Sequence, residues 1–134
     1  MEHYTIPITE LIGKTITQIN CDYYENEIIF TCDSGEKYKM THYQDCCESV
    51  VIDDVNGDWG DLIGVPILKA EEVDNYEPIT EEDIIKTKDR NDWGSCTWTF
   101  YKFATINGYV DLRWFGESNG YYSERVDFIK IENE

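Results

Sequence analysis

The C-terminal third of the chain alternates apolar and polar residues and is interrupted by two Asn-Gly dipeptides, Asn107-Gly108 and Asn119-Gly120. A period of two is typical of strands that bury one face. Asn-Gly between two such runs is the strongest short-range hairpin signal, because both residues tolerate positive φ. The pattern predicts three antiparallel strands, at residues 97–106, 109–115 and 121–129.

The alternation also assigns a core face to these three strands. We expect one buried face formed by Trp98, Phe100, Val110, Leu112, Trp114, Val126 and Phe128. We expect the opposite face to carry ion pairs between neighbouring strands. Its residues would be Thr99, Tyr101, Asp111, Arg113, Arg125 and Asp127.

The first two thirds show the same period in shorter runs. Residues 15–22, 27–32 and 37–42 predict a meander with a turn around Gly35, and further strands are predicted at 50–55 and 66–73. Short helical turns are expected at 43–49 and after Thr80, which begins a capping-box pattern. We therefore predict a single domain over 1–134 of the α+β class. It is β-rich, with a mainly antiparallel sheet, one or two short helices and an acidic loop at 74–92.

Acidic side chains are concentrated in one third of the chain. Residues 40–85 hold thirteen Asp or Glu and one Lys, a net charge of −12, whereas the whole chain carries −17. A dense negative field attracts basic partners and repels nucleic acids and anionic membranes. Apolar residues make up 41% of the chain, so the charge belongs to a folded body with a core.

Composition and motifs argue against several functional classes. Direct nucleic-acid binding needs clustered Lys and Arg, and acids interrupt the basic run at residues 86–90. The sequence shows no phosphate-binding glycine loop, nucleophile elbow or metalloprotease helix motif. Carboxylate pairs of the kind that glycosidases use are too numerous for spacing to single out one pair. We predict a protein that is not an enzyme and needs no cofactor.

A cluster of possible metal ligands lies at residues 42–48, where His42, Cys46 and Cys47 stand beside carboxylates. Zinc prefers imidazole and thiolate ligands, but zinc motifs separate paired cysteines by two to four residues, and these two are adjacent. A metal- or small-ligand-binding module centred on these three residues is the alternative hypothesis. The odd total of five cysteines is a poor disulfide framework, so a reducing cytoplasm is expected.

An Asp-rich turn at residues 53–61 is similar to a calcium loop, with oxygen ligands at Asp54, Asn56 and Asp58. An EF-hand requires Gly directly after the third ligand and Glu at the twelfth position, where this chain has Trp59 and Val65. We therefore interpret the segment as a turn between strands. Trp59 is a candidate apolar anchor there, because aromatic residues are enriched in binding hot spots.

Several blocks of the chain resemble a family of small proteins from phages and prophages of Gram-positive bacteria. The blocks are Leu11-Ile-Gly-Lys, His42-Tyr-Gln-Asp-Cys-Cys-Glu, Asp61-Leu-Ile-Gly-Val-Pro-Ile-Leu-Lys-Ala-Glu-Glu, Trp98-Thr-Phe-Tyr-Lys-Phe-Ala-Thr-Ile and Gly116-Glu-Ser-Asn-Gly-Tyr-Tyr-Ser. The family is a domain of unknown function, so the resemblance carries over no catalytic residues. It implies a phage protein in the cytoplasm of a bacterial host cell. Small acidic phage proteins often bind a host or defence protein, an analogy that identifies no site.

The leading hypothesis is a non-enzymatic protein that binds a basic surface of a host or antiviral-defence protein and inhibits or modulates it. Its acids would imitate nucleic-acid phosphates and would mainly raise the association rate. The predicted partner-binding residues are Asp53, Asp54, Asp58, Trp59, Asp61, Glu71, Glu72, Asp74 and Tyr76. A phage structural accessory is a third hypothesis, and exposed aromatic residues with an edge strand are compatible with a homodimer.

Overall fold

A computed structural model describes residues 5–44, 47–75, 95–118 and 123–131 of the chain. Within these ranges the backbone forms eight strands and two short 3-10 turns, at Ile8–Leu11 and Trp59–Leu62. The strands are β1 (Ile16–Asp22), β2 (Glu27–Cys32), β3 (Lys37–Thr41), β4 (Ser49–Gly57), β5 (Lys69–Asn75), β6 (Ser95–Thr105), β7 (Gly108–Ser118) and β8 (Asp127–Ile131).

The predicted β-rich, antiparallel character is confirmed, because every pairing between these strands is antiparallel. The predicted helices are not confirmed, since the described ranges contain no α-helix. The described part of 43–49 is not helical. The helix start at Thr80 lies outside the described residues, as does most of the predicted acidic loop at 74–92.

The strands form two four-stranded sheets, with the orders β1-β2-β3-β8 and β4-β7-β6-β5. Strands β1 to β3 form the predicted meander. The alternation in β2 shows why, since Ile28 and Phe30 are fully buried and the residues between and beside them are only partly so. Gly35 takes a φ of +100° in the turn between β2 and β3, a conformation that favours glycine.

The two sheets pack against each other through aromatic side chains. The ring centroids of Phe30 in β2 and Phe103 in β6 are 5.7 Å apart across the two sheets. Within the first sheet, Phe128 in β8 lies 6.3 Å from Phe30. Phe30 and Phe103 are both completely buried. Truncating such a side chain to alanine costs about 3–5 kcal/mol, so this contact between sheets is a main source of stability.

The position of β8 corrects the predicted pairing of the last strand. The sequence placed residues 121–129 beside β7, but β8 pairs with β3 in the other sheet, with Phe128 opposite Met40. Asn119-Gly120, the predicted hairpin turn, lies outside the described residues. Local turn chemistry does not specify a partner strand that lies in another sheet, and the prediction failed for that reason.

The faces of β6 correct a second expectation. As predicted, three residues of β7 lie in the core: Val110, Leu112 and Trp114. Their partners across β6 are Phe103, Tyr101 and Thr99. Because two residues connect β6 and β7, each even-numbered residue of β7 pairs with an odd-numbered residue of β6. Tyr101 therefore shares the core face with Leu112, whereas Trp98 and Phe100 face away from the core. No helix among the described residues has the length and apolar character needed to cross a membrane.

Candidate functional site

The predicted acidic residues of β4 and β5 lie at opposite edges of the second sheet. Asp54 belongs to β4, and Glu71 and Glu72 belong to β5, which is the other end of the order β4-β7-β6-β5. All three side chains are exposed. The structure therefore brings charges that are distant in sequence to the two edges of one sheet.

A bulge in β4 separates the roles of two neighbouring aspartates. The pairing of β4 with β7 shifts between Ile52 and Asp54, which leaves Asp53 as the extra residue opposite Arg113. One carboxylate oxygen of Asp53 lies 2.7 Å from both Nε and Nη2 of Arg113. The Asp53 side chain is only 9% exposed. Asp53 is thus committed to an internal ion pair, and Asp54 carries charge at the surface.

Two further predicted acids shape the loop after β4. Asp58 Oδ1 accepts a hydrogen bond from the Gly60 N–H at 2.8 Å and so caps the turn Trp59–Leu62. The backbone carbonyl of Asp61 accepts a hydrogen bond from the Thr105 hydroxyl. A Cβ at Gly108 would lie 2.6 Å from Asp61 Oδ2, so this carboxylate packs closely against the β6–β7 hairpin. Both acids have structural roles, and Asp58 is also exposed.

Trp59 packs against the core. Its ring centroid lies 6.2 Å from that of Phe30 and 6.5 Å from that of Phe103. The side chain is half-buried between the sheets, so little of it remains for a partner. Of the other predicted contacts, the side chain of Asp74 and the whole of Tyr76 lie outside the described residues.

The outer face of the second sheet contains a depression of about 530 Å³. Two rows of paired residues cross it. One row is Asp54, Arg113, Phe100 and Val73, and the other is Asn56, Asp111, Lys102 and Glu71. We call this depression the outer-face groove, defined by Asp54, Glu71, Val73, Phe100 and Arg113. Val73 and Phe100 were not identified from the sequence as residues of this face. The alternation of β5 and the two-residue turn between β6 and β7 place both of them on it.

Arg113 is held rigidly beside the groove. Its guanidinium carbon lies 4.9 Å from the centroid of the Trp98 ring, a cation–π contact. Trp98 stacks obliquely on Phe115 at 4.4 Å, and both are 1% exposed although they face away from the core. The outer face is therefore buried at Trp98 and Phe115, and its exposed part follows the row from Asp54 to Val73.

The cations of the outer-face groove already have acidic neighbours. Arg113 pairs with Asp53, and Lys102 Nζ lies 3.9 Å from Asp111 Oδ1. Glu71 lies 3.7 Å from Lys69 Nζ, an exposed pair of the kind that contributes about 0–1 kcal/mol. These pairs match three cations with three acids, and the exposed Asp54 adds a further negative charge, so the groove presents a net negative charge to a partner.

A second polar cluster surrounds His42. Its Nε2 lies 2.6 Å from Glu48 Oε2 and its Nδ1 lies 2.7 Å from the carbonyl oxygen of Arg125. The side chains of His42 and Glu48 are 5% and 0% exposed. Because a carbonyl oxygen only accepts, Nδ1 is the donor to the carbonyl oxygen of Arg125, and Nε2 faces the carboxyl group of Glu48.

The same geometry bears on the alternative hypothesis of a metal site at His42, Cys46 and Cys47. Both nitrogens of His42 already contact protein oxygens, and Cys47 is disulfide-bonded. Cys46 lies outside the described residues. Within the described ranges, no group of three or more His, Cys, Asp or Glu side chains could hold a metal ion. A metal here would require His42 to release one of its contacts.

Comparison with known proteins identifies a family. A model for a domain of unknown function, DUF7448, matches residues 9–128. The chain belongs to this family. The matched range includes the outer-face groove and the His42 cluster, so both are features of the family domain in this chain. No curated protein and no solved structure matches the chain.

Proposed function

We propose that this protein is a non-enzymatic binding protein that docks on a basic surface of a larger protein and inhibits or modulates it. The observation that carries the proposal is the exposure of Asp54, Glu71 and Glu72 at the two edges of one sheet. On the outer face, which carries Asp54 and Glu71, Phe100 and Val73 add apolar surface to the groove. Acids around an apolar centre are typical of a surface that binds a basic partner.

Electrostatics would act mainly on the rate at which the complex forms. A net charge of −17 produces a field that extends beyond the surface, and that field steers a basic partner toward the acidic sheet. Steered association weakens as salt increases, because the Debye length falls from about 10 Å at 0.1 M to about 3 Å at 1 M. We therefore expect salt-sensitive binding.

The resemblance to phage and prophage proteins suggests the kind of partner. A phage protein that acts in the bacterial cytoplasm would meet host enzymes and antiviral effectors, many of which bind nucleic acid through basic surfaces. Carboxylates at the edges of the second sheet would then occupy positions that phosphates take in the partner's own complex.

Affinity capture tests the proposal. The immobilised full chain is incubated with bacterial lysate at low salt, and bound proteins are released by a salt series and identified by mass spectrometry. We expect a specific basic protein whose affinity, measured with purified partner, falls for Asp54→Asn/Glu71→Gln/Glu72→Gln. Failure to recover any partner at low salt contradicts the proposal. Elemental analysis of the purified protein separates it from the metal hypothesis, because stoichiometric zinc would favour His42, Cys46 and Cys47.

A further inference from the structure

We infer that the outer-face groove accepts an extended segment of the partner in which two Lys or Arg residues flank an apolar residue, with one residue between each. The inference rests on the proposed function and adds the chemistry of the segment that docks. The groove residues that would make the contacts are Asp54, Glu71, Val73 and Phe100.

The spacing of the acids sets the spacing of the bases. Asp54 and Glu71 lie on the first and last strands of a four-stranded sheet, so three inter-strand spacings of about 4.8 Å separate them across the sheet. Along the strand direction they are offset by two residues. Their separation is therefore about 16 Å. An extended chain covers about 13 Å in four residues, and positions i and i+4 point to the same side. Flexible Lys or Arg side chains span the remaining distance.

The floor of the groove determines the residue between the two bases. Position i+2 of an extended segment faces the same way as i and i+4, so it would point at the centre of the groove. There the partly exposed Phe100 lies opposite Arg113 and two residues from Lys102 along β6, whereas Val73, 58% exposed, lies on β5 beside Glu71, where the methylene groups of the second base would contact it. Burying an exposed apolar side chain is favourable by about 25 cal/mol per Å², so an apolar residue at i+2 gains where a polar one does not.

Charge selects a basic occupant over an acidic one. Arg113 is already neutralised by Asp53, whose carboxylate contacts it at 2.7 Å. An anion entering the groove would meet the exposed Asp54 at one edge and Glu71 at the other. A basic side chain gains most at Asp54, and at the other edge it shares Glu71 with Lys69, whose Nζ lies 3.7 Å from that carboxylate. Its methylene groups can lie on Phe100.

The first experiment is an NMR titration of the ¹⁵N-labelled full chain with the peptide Ac-Lys-Ser-Leu-Ser-Lys-NH2. We expect shift changes concentrated at backbone amides of the groove, such as those of Asp54, Val73 and Phe100. The composition-matched peptide Ac-Lys-Lys-Leu-Ser-Ser-NH2 should bind more weakly, because its lysines cannot reach both edges. Equal affinity for the two peptides would overturn the inference and indicate general attraction to a negative protein.

Charge-matched variants test the two acids. Asp54→Asn/Glu71→Gln is expected to raise the dissociation constant of the spaced peptide about fivefold, since two exposed ion pairs together contribute about 1 kcal/mol. Glu10→Gln/Asp33→Asn removes the same charge from exposed positions outside the groove and should change it less than about twofold. Similar losses for both variants would be incompatible with a specific groove.

A matched pair of apolar variants tests the floor. Val73 and Leu68 are 58% and 62% exposed, but only Val73 lines the groove. Val73→Ser should weaken the peptide complex and Leu68→Ser should not. If the peptide fails to bind while a partner is still captured from lysate in a salt-sensitive way, the groove assignment is wrong and the proposed function stands.

Discussion

Asn26 Oδ1 accepts a hydrogen bond from the backbone N–H of Ile52 at 2.9 Å, and this contact links the two sheets. Asn26 precedes β2, whereas Ile52 lies in β4 at the start of the bulge that exposes Asp54. The backbone carbonyl of Asn26 also accepts a hydrogen bond from the Thr41 hydroxyl at 3.2 Å. One turn residue therefore fixes an edge of the sheet that carries the outer-face groove.

Substitution of Asn26 should separate its backbone role from its side-chain role. The residue has a φ of +55°, which asparagine tolerates better than most residues. Asn26→Ala loses the acceptor for the Ile52 N–H and adds backbone strain, so we expect unfolding free energy to fall by about 2–4 kcal/mol. Asn26→Asp keeps an acceptor oxygen and should cost less. Urea denaturation measures both, and equal stability of Asn26→Ala and wild type would contradict the assignment.

Two glycines provide a matched test of close packing. Gly57 and Gly35 both have positive φ, +120° and +100°. A Cβ at Gly57 would lie 2.5 Å from the carbonyl oxygen of Tyr109, whereas a Cβ at Gly35 would meet nothing within 4 Å. Gly35→Ala should cost about 1–2 kcal/mol from strain alone, and Gly57→Ala should cost at least about 3 kcal/mol because β4 must also move. Thermal denaturation of the two variants checks the order, and the reverse order would refute it.

The buried pair of His42 and Glu48 should respond unequally to loss of the ring and to loss of the charge. His42→Ala removes the ring that lies 2.6 Å from a fully buried carboxyl group, and we expect a loss of about 3–5 kcal/mol. Glu48→Gln retains a donor that can face Nε2 and should cost about 1–2 kcal/mol. Chemical denaturation at neutral pH provides the comparison. A loss below about 1 kcal/mol for His42→Ala would show that the pair contributes little.

Glu36 should retain its charge in unusually acidic solution. The hydroxyl of Ser34 donates to one carboxylate oxygen and Lys14 Nζ lies 3.0 Å from the other, which lowers the pKa of Glu36 from 4.5 to about 2. Because the pKa in the folded state is the lower one, this contribution to stability is complete above about pH 4.5 and disappears as the pH falls toward 2.

A ¹³C titration of the side-chain carboxyl group measures that pKa directly. Ser34→Ala and Lys14→Met should each raise the pKa of Glu36 toward 4.5, because the hydroxyl donates to one carboxylate oxygen and the ammonium group of Lys14 contacts the other. Lys14→Arg retains the charge and provides the control. An unchanged pKa of about 2 in Ser34→Ala would disprove the role of the hydroxyl.

Local patterns predicted the strands well where a strand pairs with its sequence neighbour. The strand at Glu27–Cys32 was predicted with the bounds that the structure has, because alternation and the Gly35 turn both act within a few residues. The partner of β8 was predicted wrongly as β7, since its pairing with β3 depends on a contact between residues far apart in the sequence. The prediction of which face of β6 lies in the core was wrong, because aromatic residues occupy both of its faces.

The acidic site could likewise be predicted from the sequence only in part. Its charge could be predicted from composition, and Asp54, Glu71 and Glu72 are exposed as a binding surface requires. The sequence could not show that the bulge turns Asp53 toward Arg113 while its neighbour faces solvent. It also could not show that Trp59, in a polar turn, folds back onto Phe30. The first outcome depends on the strand that pairs with β4 and the second on how the two sheets pack, and no local pattern records either.

The pairing of β8 with β3 has a consequence for synthesis on the ribosome. The backbone groups at the outer edge of β3 (Lys37–Thr41) cannot form their hydrogen bonds until β8 (Asp127–Ile131) has been synthesised. Contacts so far apart in sequence form slowly, and an open edge in the meantime can recruit another chain. Lys37 and Lys39 lie on this strand, whose outer edge is temporarily unpaired, and their positive charge discourages pairing with another nascent chain. These lysines would protect β3 from aggregation mainly before synthesis of β8 is complete.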